Sequence, residues 1–262
     1  MSIYTLGIDS GSTYTKGALF DGEKIIKTYK IRTSAKPKES IYLVYNNLFN
    51  ENVKYTITTG YGRDLLKEAD KKVTEITCHA QGAAFLNEKT RIIIDLGGQD
   101  CKVIKLDNSL NVIDFIMNDK CAAGTGRFIE VMMRILEEDI KNIDEFVKNK
   151  NKVNISSMCT VFAESEIISL LSQDVNRGDI ALGVIHSIAK RTANFARRLK
   201  LENDVFFTGG LANSNSFKEI LSEYLDFKVI TDELSQYAGA IGASVIGYKK
   251  YKKLYTICTK WK

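Results

Sequence analysis

No stretch of this chain reaches the roughly 18 consecutive apolar residues that a membrane-spanning helix needs. The first residues also lack a charged region followed by an apolar one, because residues 3–8 already read as a strand. The expectation is therefore a cytoplasmic protein with no signal peptide and no membrane contact. Cysteine is sparse and odd in number, five in 262 residues. That argues against a fully paired disulfide framework, and a reducing compartment would not keep one. The thiols must be core residues, metal ligands or reactive groups. No Cys-x-x-Cys pair occurs, and no Gly-x4-Gly-Lys-Ser/Thr occurs, which excludes a P-loop. The single proline, Pro37, marks a loop, and no low-complexity linker divides the chain. The net charge of +5 comes from scattered lysines and arginines, with small clusters at Lys249-Lys250 and Lys252-Lys253. Without an aromatic stacking motif this reads as a solvated surface, and no nucleic-acid partner is expected.

What is present is a pattern stated twice. A strand over residues 3–9 ends in Asp9, a Gly/Ser/Thr turn follows, and a second strand runs over 15–20. Asp21-Gly22 is a hairpin signal, and a third strand continues over 24–31. Residues 40–49 have helical spacing, and 55–59 form a short strand ending in Thr59-Gly60-Tyr61-Gly62. About 86 residues after Asp9 the opening returns: a buried strand over 91–95, then Asp95-Leu96-Gly97-Gly98-Gln99-Asp100, then strands over 102–106 and 112–117. Duplicated domains facing one cleft would explain this. The expected division is residues 1–84 completed by a C-terminal helix within 235–262, and a second domain over 85–234. The second half is richer in helix. Phe128, Met132, Ile135 and Leu136 share a face, as do Ile185, Ile188, Thr192, Phe195, Ala196 and Leu199. Strands are expected over 205–208 and 229–231, and a last helix over about 237–251.

The Asp–Gly turns suit phosphate chemistry. Gly11 lets backbone approach a phosphate, successive amides from Ser10 to Thr13 can cradle its oxygens, and Ser12, Thr13 and Lys16 can add donors. Asp9 can hold magnesium through water, since hard cations prefer oxygen. Read alone, this turn is equally a hairpin of small residues. The second turn, with Gly97 and Gly98, makes a clamp on one triphosphate from both sides the better reading. A third glycine pair, Gly209-Gly210, follows a buried strand and precedes Leu211-Ala212-Asn213, where backbone can pass close under an adenine ring. In order and content these turns resemble the superfamily of actin, hexokinase and the heat-shock chaperone ATPases. The segments that carry the likeness are Ile8 to Lys16, Asp95 to Asp100, Thr208 to Ala212, and Tyr237-Ala238-Gly239-Ala240-Ile241-Gly242-Ala243. That resemblance implies an α/β fold of two duplicated domains around a nucleotide cleft.

Two cysteines precede helical segments: Cys121, in Lys120-Cys121-Ala122-Ala123-Gly124-Thr125-Gly126, and Cys159, in Ser157-Met158-Cys159-Thr160. A helix N-terminus lowers thiolate pKa and favours an anionic cluster. An iron–sulfur cluster typically needs four thiolates, and a symmetric dimer would supply two plus two on its axis. Taken alone, both are equally small core residues. Together with Cys78-His79-Ala80-Gln81-Gly82 and Gly97-Gly98-Gln99-Asp100, however, these stretches are similar to the activator components of 2-hydroxyacyl-CoA dehydratases and the related ATPase subunits of benzoyl-CoA reductases.

The resemblance runs from residue 3 to about 250 and implies the rest of the reading. A homodimer would hold one bridging 4Fe–4S cluster through Cys121 and Cys159 of each subunit. Ferredoxin or flavodoxin would reduce it under anaerobic conditions. ATP hydrolysis would change the angle between domains, and a low-potential electron would pass to an iron–sulfur dehydratase or reductase. Asp9 and Asp95 are the expected magnesium residues, and Gln99 and Asp100 the residues that orient water. Glu166 has two readings, an acid suited to the start of a helix or a ribose or adenine contact. Cys78 and Cys101 are expected to be buried, with Cys101 beside the nucleotide. Cys258 lies in the basic tail without an expected role. His79 is expected to be structural, with the floor of the cleft as its other reading. A sugar kinase of the same fold is the alternative; it would explain the glycine turns and leave the two cysteines unexplained.

Overall fold

The computed structural model describes residues 3–118, 124–156, 159–202 and 204–259, with side chains through residue 255. The chain forms two compact units. The first is Met1–Thr90, Leu106–Ile113 and Leu234–Lys262; the second is Arg91–Lys105 and Asp114–Glu233.

The first unit opens with β1 (Tyr4–Ser10), β2 (Tyr14–Phe20) and β3 (Ile25–Arg32), each antiparallel to the next. Strand β1 has the two-faced burial of a central strand. Leu6 and Ile8 point to one side, into a cluster with Ile41, Val44 and Leu48 of α1 (Pro37–Leu48). Thr5 and Gly7 point to the other side. Pro37 does not mark a loop: it is the first residue of α1. Its fixed φ suits that position, and a missing N–H there leaves no helical bond unmade. The helix therefore begins three residues before its apolar spacing suggests. Strand β4 (Val53–Thr59) runs parallel to β1, and the two-residue β5 (Lys71–Lys72) completes the order β3-β2-β1-β4-β5. Helix α2 (Glu75–Leu86) follows. Its buried residues are Cys78, His79, Ala80, Gly82, Ala83 and Ala84, so it has no bulky stripe for sequence periodicity to detect.

The second unit repeats the topology. Strands β6 (Ile92–Leu96), β7 (Cys101–Leu106) and β8 (Val112–Asn118) precede α3 (Gly126–Ile135), the single turn α4 (Ile143–Phe146), α5 (Thr160–Ser172) and α6 (Arg177–Ala196). Strand β9 (Val205–Gly209), α7 (Asn215–Leu225) and β10 (Val229–Ile230) complete it. The order β8-β7-β6-β9-β10 matches the first sheet strand for strand. Strand β7 is antiparallel to β6, and β9 is parallel to β6. Phe128, Ile129, Met132 and Met133 of α3 and the apolar face of α6 pack on this sheet, and Phe207 stacks on Phe217 of α7 at 5.4 Å.

The last helix, α8 (Ala238–Thr259), returns to the first unit, and its backbone extends well past the expected end. Its run of alanine and glycine is explained by close approach. A Cβ on Gly242 would fall on the Cys78 carbonyl of α2, one on Gly82 would fall on the Ala238 carbonyl, and one on Gly7 would fall on the Ala240 carbonyl. The Thr5 hydroxyl donates to the Ser244 carbonyl at 2.8 Å in the same interface. Among the described residues, no helix is long and apolar enough to cross a membrane.

One capping contact gives a stability test. Asp144 of α4 accepts hydrogen bonds from the Ser214 hydroxyl (2.6 Å), the Asn215 N–H (2.9 Å) and the Ser216 N–H (3.1 Å) at the start of α7. Burial opposes ionisation, but these hydrogen bonds outweigh it and hold the carboxyl below its usual range. Asp144→Ala should cost about 1–2 kcal/mol, as loss of a helix cap does. A depressed folded-state pKa stabilises above the unfolded value of about 3.9. The difference from wild type should therefore be full at pH 7 and fade as pH falls through the folded pKa. Urea unfolding at pH 7 and pH 3 measures this; an equal difference at both would show that the charge plays no part.

Candidate functional site

In the first unit the site forms where β1, β4, α2 and α8 meet. Asp9 lies near the end of β1, opposite Lys16 in the β1–β2 ladder. The turn between them is closed by the Gly11 N–H donating to the Tyr14 carbonyl at 3.1 Å. The Thr33 hydroxyl braces it by donating to the Gly11 carbonyl at 2.8 Å. Ser12, at the tip, is exposed, and Gly11, Thr13 and Lys16 are half-buried.

Asp9 is only 6% exposed. Its Oδ2 is 3.8 Å from His79 Nε2, and its Oδ1 has no hydrogen-bond partner. The adjacent Ser10 hydroxyl is likewise buried and unpartnered. The space around these atoms exists because neighbouring residues lack side chains. A Cβ on Gly60 would lie 2.7 Å from Asp9 Oδ1, and one on Gly239 would lie 2.6 Å from Asp9 Oδ2 and 2.8 Å from His79 Nε2. Gly60 also has a φ of 88°, a conformation glycine adopts readily. A buried carboxylate oxygen without a donor is costly in an empty protein and suited to a hydrated cation. The Asp9 pocket thus fits magnesium.

In the second unit the equivalent turn has the same backbone. Asp95 lies opposite Lys102 in the ladder, and the Gly97 N–H donates to the Asp100 carbonyl at 2.9 Å. Gly97, Gly98 and Asp100 are half-buried, and Gln99 is exposed. Lys102 is buried at 1% exposure, its ammonium 3.4 Å from Asp95 Oδ2 and paired with Asp100 as well. Asp95 Oδ1 accepts from the Thr208 hydroxyl at 2.7 Å. Sequence reasoning missed Lys102. The signal was available: both turns place a lysine seven residues after their aspartate.

The Thr208-Gly209-Gly210 turn abuts the same strand. Gly209 has a φ of 103°, and a Cβ on it would strike the Leu96 carbonyl, so the fold itself requires glycine there. A Cβ on Gly210 would meet nothing within 4 Å, so the packing of the chain does not account for that second glycine. Ala212 is buried, its N–H donating to the Gly209 carbonyl. Glu166 lies in α5 beyond its first turn, and its carboxylate accepts from the Ser156 N–H (2.8 Å) and hydroxyl (2.9 Å).

The second turn also holds the start of a helix. The Gly126 and Arg127 N–H groups of α3 donate to the Gly97 and Gly98 carbonyls, both at 2.9 Å. These are helix N–H groups that have no partner within α3. Displacement of the turn therefore acts directly on α3.

Cys121 lies outside the described residues. Cys159 is exposed and is the N-cap residue of α5. Cys78 and Cys101 are buried. Burial pushes the Cys78 thiol up to about 12, opposed by the Thr59 hydroxyl, and burial pushes the Cys101 thiol up as well. Both are held as neutral thiols and do not suit a cluster, which takes thiolates. Of the cysteines whose side chains are described, Cys159 has the exposure and the helix-terminal position that a cluster ligand needs.

The model of the BadF/BadG/BcrA/BcrD ATPase family matches residues 6–247. The (R)-2-hydroxyglutaryl-CoA dehydratase activating ATPase of Acidaminococcus fermentans is 44% identical over 261 residues, covering 97% of this chain and 100% of that protein. A 2-hydroxyisocaproyl-CoA dehydratase activator of Clostridioides difficile is 40% identical over 258 residues, covering 96% and 97%. The solved activator of the 2-hydroxyisocaproyl-CoA dehydratase from Clostridium difficile, with bound ADPNP, superposes with a TM-score of 0.91 at 39% identity, covering 97% of each chain.

Proposed function

The chain belongs to the BadF/BadG/BcrA/BcrD ATPase family and has the actin-like ATPase fold, and from that premise we propose that it is an ATP-driven electron-transfer activator of an iron–sulfur dehydratase acting on a 2-hydroxyacyl-CoA, or of a related reductase. The amides and hydroxyls of Ser10, Gly11, Ser12 and Thr13, with Lys16, and the amides of Gly97 and Gly98 bind the phosphates of ATP. Gly209, Gly210 and Ala212 lie under the adenine, and Glu166 reaches the ribose. Asp9 is the acidic residue that holds the magnesium of the nucleotide complex, and Asp95 is the acidic residue at the base of the second phosphate turn. Gln99 and Asp100 orient the water that attacks the γ-phosphate; ATP and water give ADP and phosphate. Donors fixed by the backbone stabilise charge developing on the transferred phosphoryl group without reorganising.

Cys121 and Cys159 of each of two subunits would hold one 4Fe–4S cluster, which would supply one-electron chemistry at low potential. Ferredoxin or flavodoxin supplies the electron, and the dehydratase or reductase accepts it. The observation that carries this reading is the pair of hydrogen bonds from α3 to the Gly97 and Gly98 carbonyls, because they tie a phosphate turn to the helix that follows Cys121. Whatever the nucleotide does to that turn acts on the helix by differential contact.

Protein prepared without oxygen tests the proposal. It should contain about four irons and four sulfides per dimer, as one shared cluster requires. Once reduced, it should lose iron to a chelator at different rates with ADP and with a non-hydrolysable ATP analogue. A coupling of about 1–3 kcal/mol corresponds to roughly a five- to 150-fold change in equilibrium. Gly124, with a φ of 86°, should be needed for that response, and Gly124→Val should blunt it while sparing nucleotide binding. Absence of iron, four irons per monomer, or equal rates with nucleotide bound would overturn the shared, coupled cluster. A phosphorylated sugar as product would point instead to a kinase.

A further inference from the structure

The two Asp–Gly turns have one backbone and two different electrostatic constructions. In both, the aspartate faces a lysine seven residues on, and the second residue after it donates to the carbonyl of the residue three further along. Yet both carboxylate oxygens of Asp95 are already engaged by protein. Thr208 donates to its Oδ1, and the Lys102 ammonium lies 3.4 Å from its Oδ2, with Lys102 also paired to Asp100. Asp95 and Lys102 are 2% and 1% exposed, so this cation is sealed into the unit. At Asp9 the matching lysine plays no such part: among the described residues no ion pair joins Lys16 to Asp9, and Lys16 is half-buried. Asp9 Oδ1 is buried without a hydrogen-bond partner, in space kept open by Gly60 and Gly239.

A divalent cation seeks oxygens with free lone pairs. At Asp9 it finds one already desolvated. At Asp95 it would have to displace a hydrogen bond and approach a buried ammonium of like charge, which repels it strongly in a poorly screened interior. We infer that the two turns divide the work: Asp9 takes the divalent cation of the nucleotide complex, and Asp95 is the anchor that seats Lys102 as the fixed cation of the second turn. Lys102 is then a positioning residue. Through its second ion pair it sets where the Asp100 carboxylate stands, and Asp100 is the group proposed above to orient water. Breaking the buried pair would release Asp100, while the metal pocket at Asp9 would remain as it is.

This inference rests on the nucleotide-binding reading, and its test separates the two. Manganese binding to the whole protein with ADP, followed by the spin-resonance signal of the free ion, reads metal affinity without turnover. Asp9→Asn should weaken manganese at least tenfold. Asp95→Asn and Lys102→Met should each change it less than threefold. Lys102→Met should lower the rate of ATP hydrolysis at saturating nucleotide with little change in KM, and Lys102→Arg should recover part of that rate. If Asp95→Asn does not fold, the double variant Asp95→Asn/Lys102→Met removes both members of the buried pair and carries the same expectation for manganese. Equal weakening in the Asp9 and Asp95 variants, or full turnover in Lys102→Met, overturns the division of labour. Wild type that fails to bind ADP in calorimetry overturns the nucleotide reading instead.

Discussion

Cys159→Ser is expected to leave a folded protein without the proposed cluster. Cys159 caps α5 with extended backbone (φ −88°, ψ 139°), and its side chain makes no capping hydrogen bond. Serine is among the residues most favoured at that position, so the helix should form at least as well with it. Iron should fall from about four per dimer to below one, since a 4Fe–4S cluster ordinarily needs all four thiolates. Anaerobic iron and sulfide analysis beside thermal unfolding measures both effects at once. Cys121→Ser should give the same loss of iron, and Cys258→Ser should keep the full content. Cys78→Ala offers the contrast: a fully buried thiol in the α2–α8 contact should be lost with some stability and no iron. Full iron in the Cys159 variant would remove it from the ligand set.

Asp9→Ala and Asp95→Ala should both abolish most ATP hydrolysis and differ in what they do to the fold. Loss of one preorganised electrostatic contact at a reacting centre lowers turnover by about 10²–10³. Each variant should reach that range in a phosphate-release assay. Stability should separate them. Asp9→Ala removes a buried carboxylate with an unpartnered oxygen, so a desolvation penalty disappears and the melting temperature should hold or rise. Asp95→Ala leaves the buried Lys102 ammonium short of one counter-ion and removes the acceptor of the Thr208 hydroxyl. Breaking a buried pair from one side costs about 3–5 kcal/mol. The remaining pair with Asp100, which is partly solvated, should reduce that figure. Wild-type hydrolysis in either variant would take its turn out of the reaction, and equal melting temperatures would contradict the difference in how the two carboxylates are held.

Much of this is legible in the chain itself. The repeat announced itself because a strand ending in aspartate and glycine is a local arrangement, set by backbone sterics and by the need for amides at a turn. Two copies of it with similar spacing imply two similar sheets, and strand burial on both faces leaves continuous apolar runs such as residues 92–94. Boundaries erred where another rule acts: Pro37 opens a helix because its lost N–H is harmless at that one position. Helix α2 went unseen because small residues carry the α2–α8 contact through backbone approach, which has no hydrophobic period. The cysteines were identical letters in the sequence. Tertiary structure separated them, burying Cys78 and Cys101 as neutral thiols and exposing Cys159 at a helix terminus. The same holds for the two aspartates. Sequence determined that each sits before a glycine turn, opposite a lysine seven residues on. Only the fold decided that Lys102 reaches back to Asp95 and Asp100 while Lys16 leaves Asp9 open, because desolvation and ion pairing depend on what packs around a side chain, and that is set by residues far away in the chain.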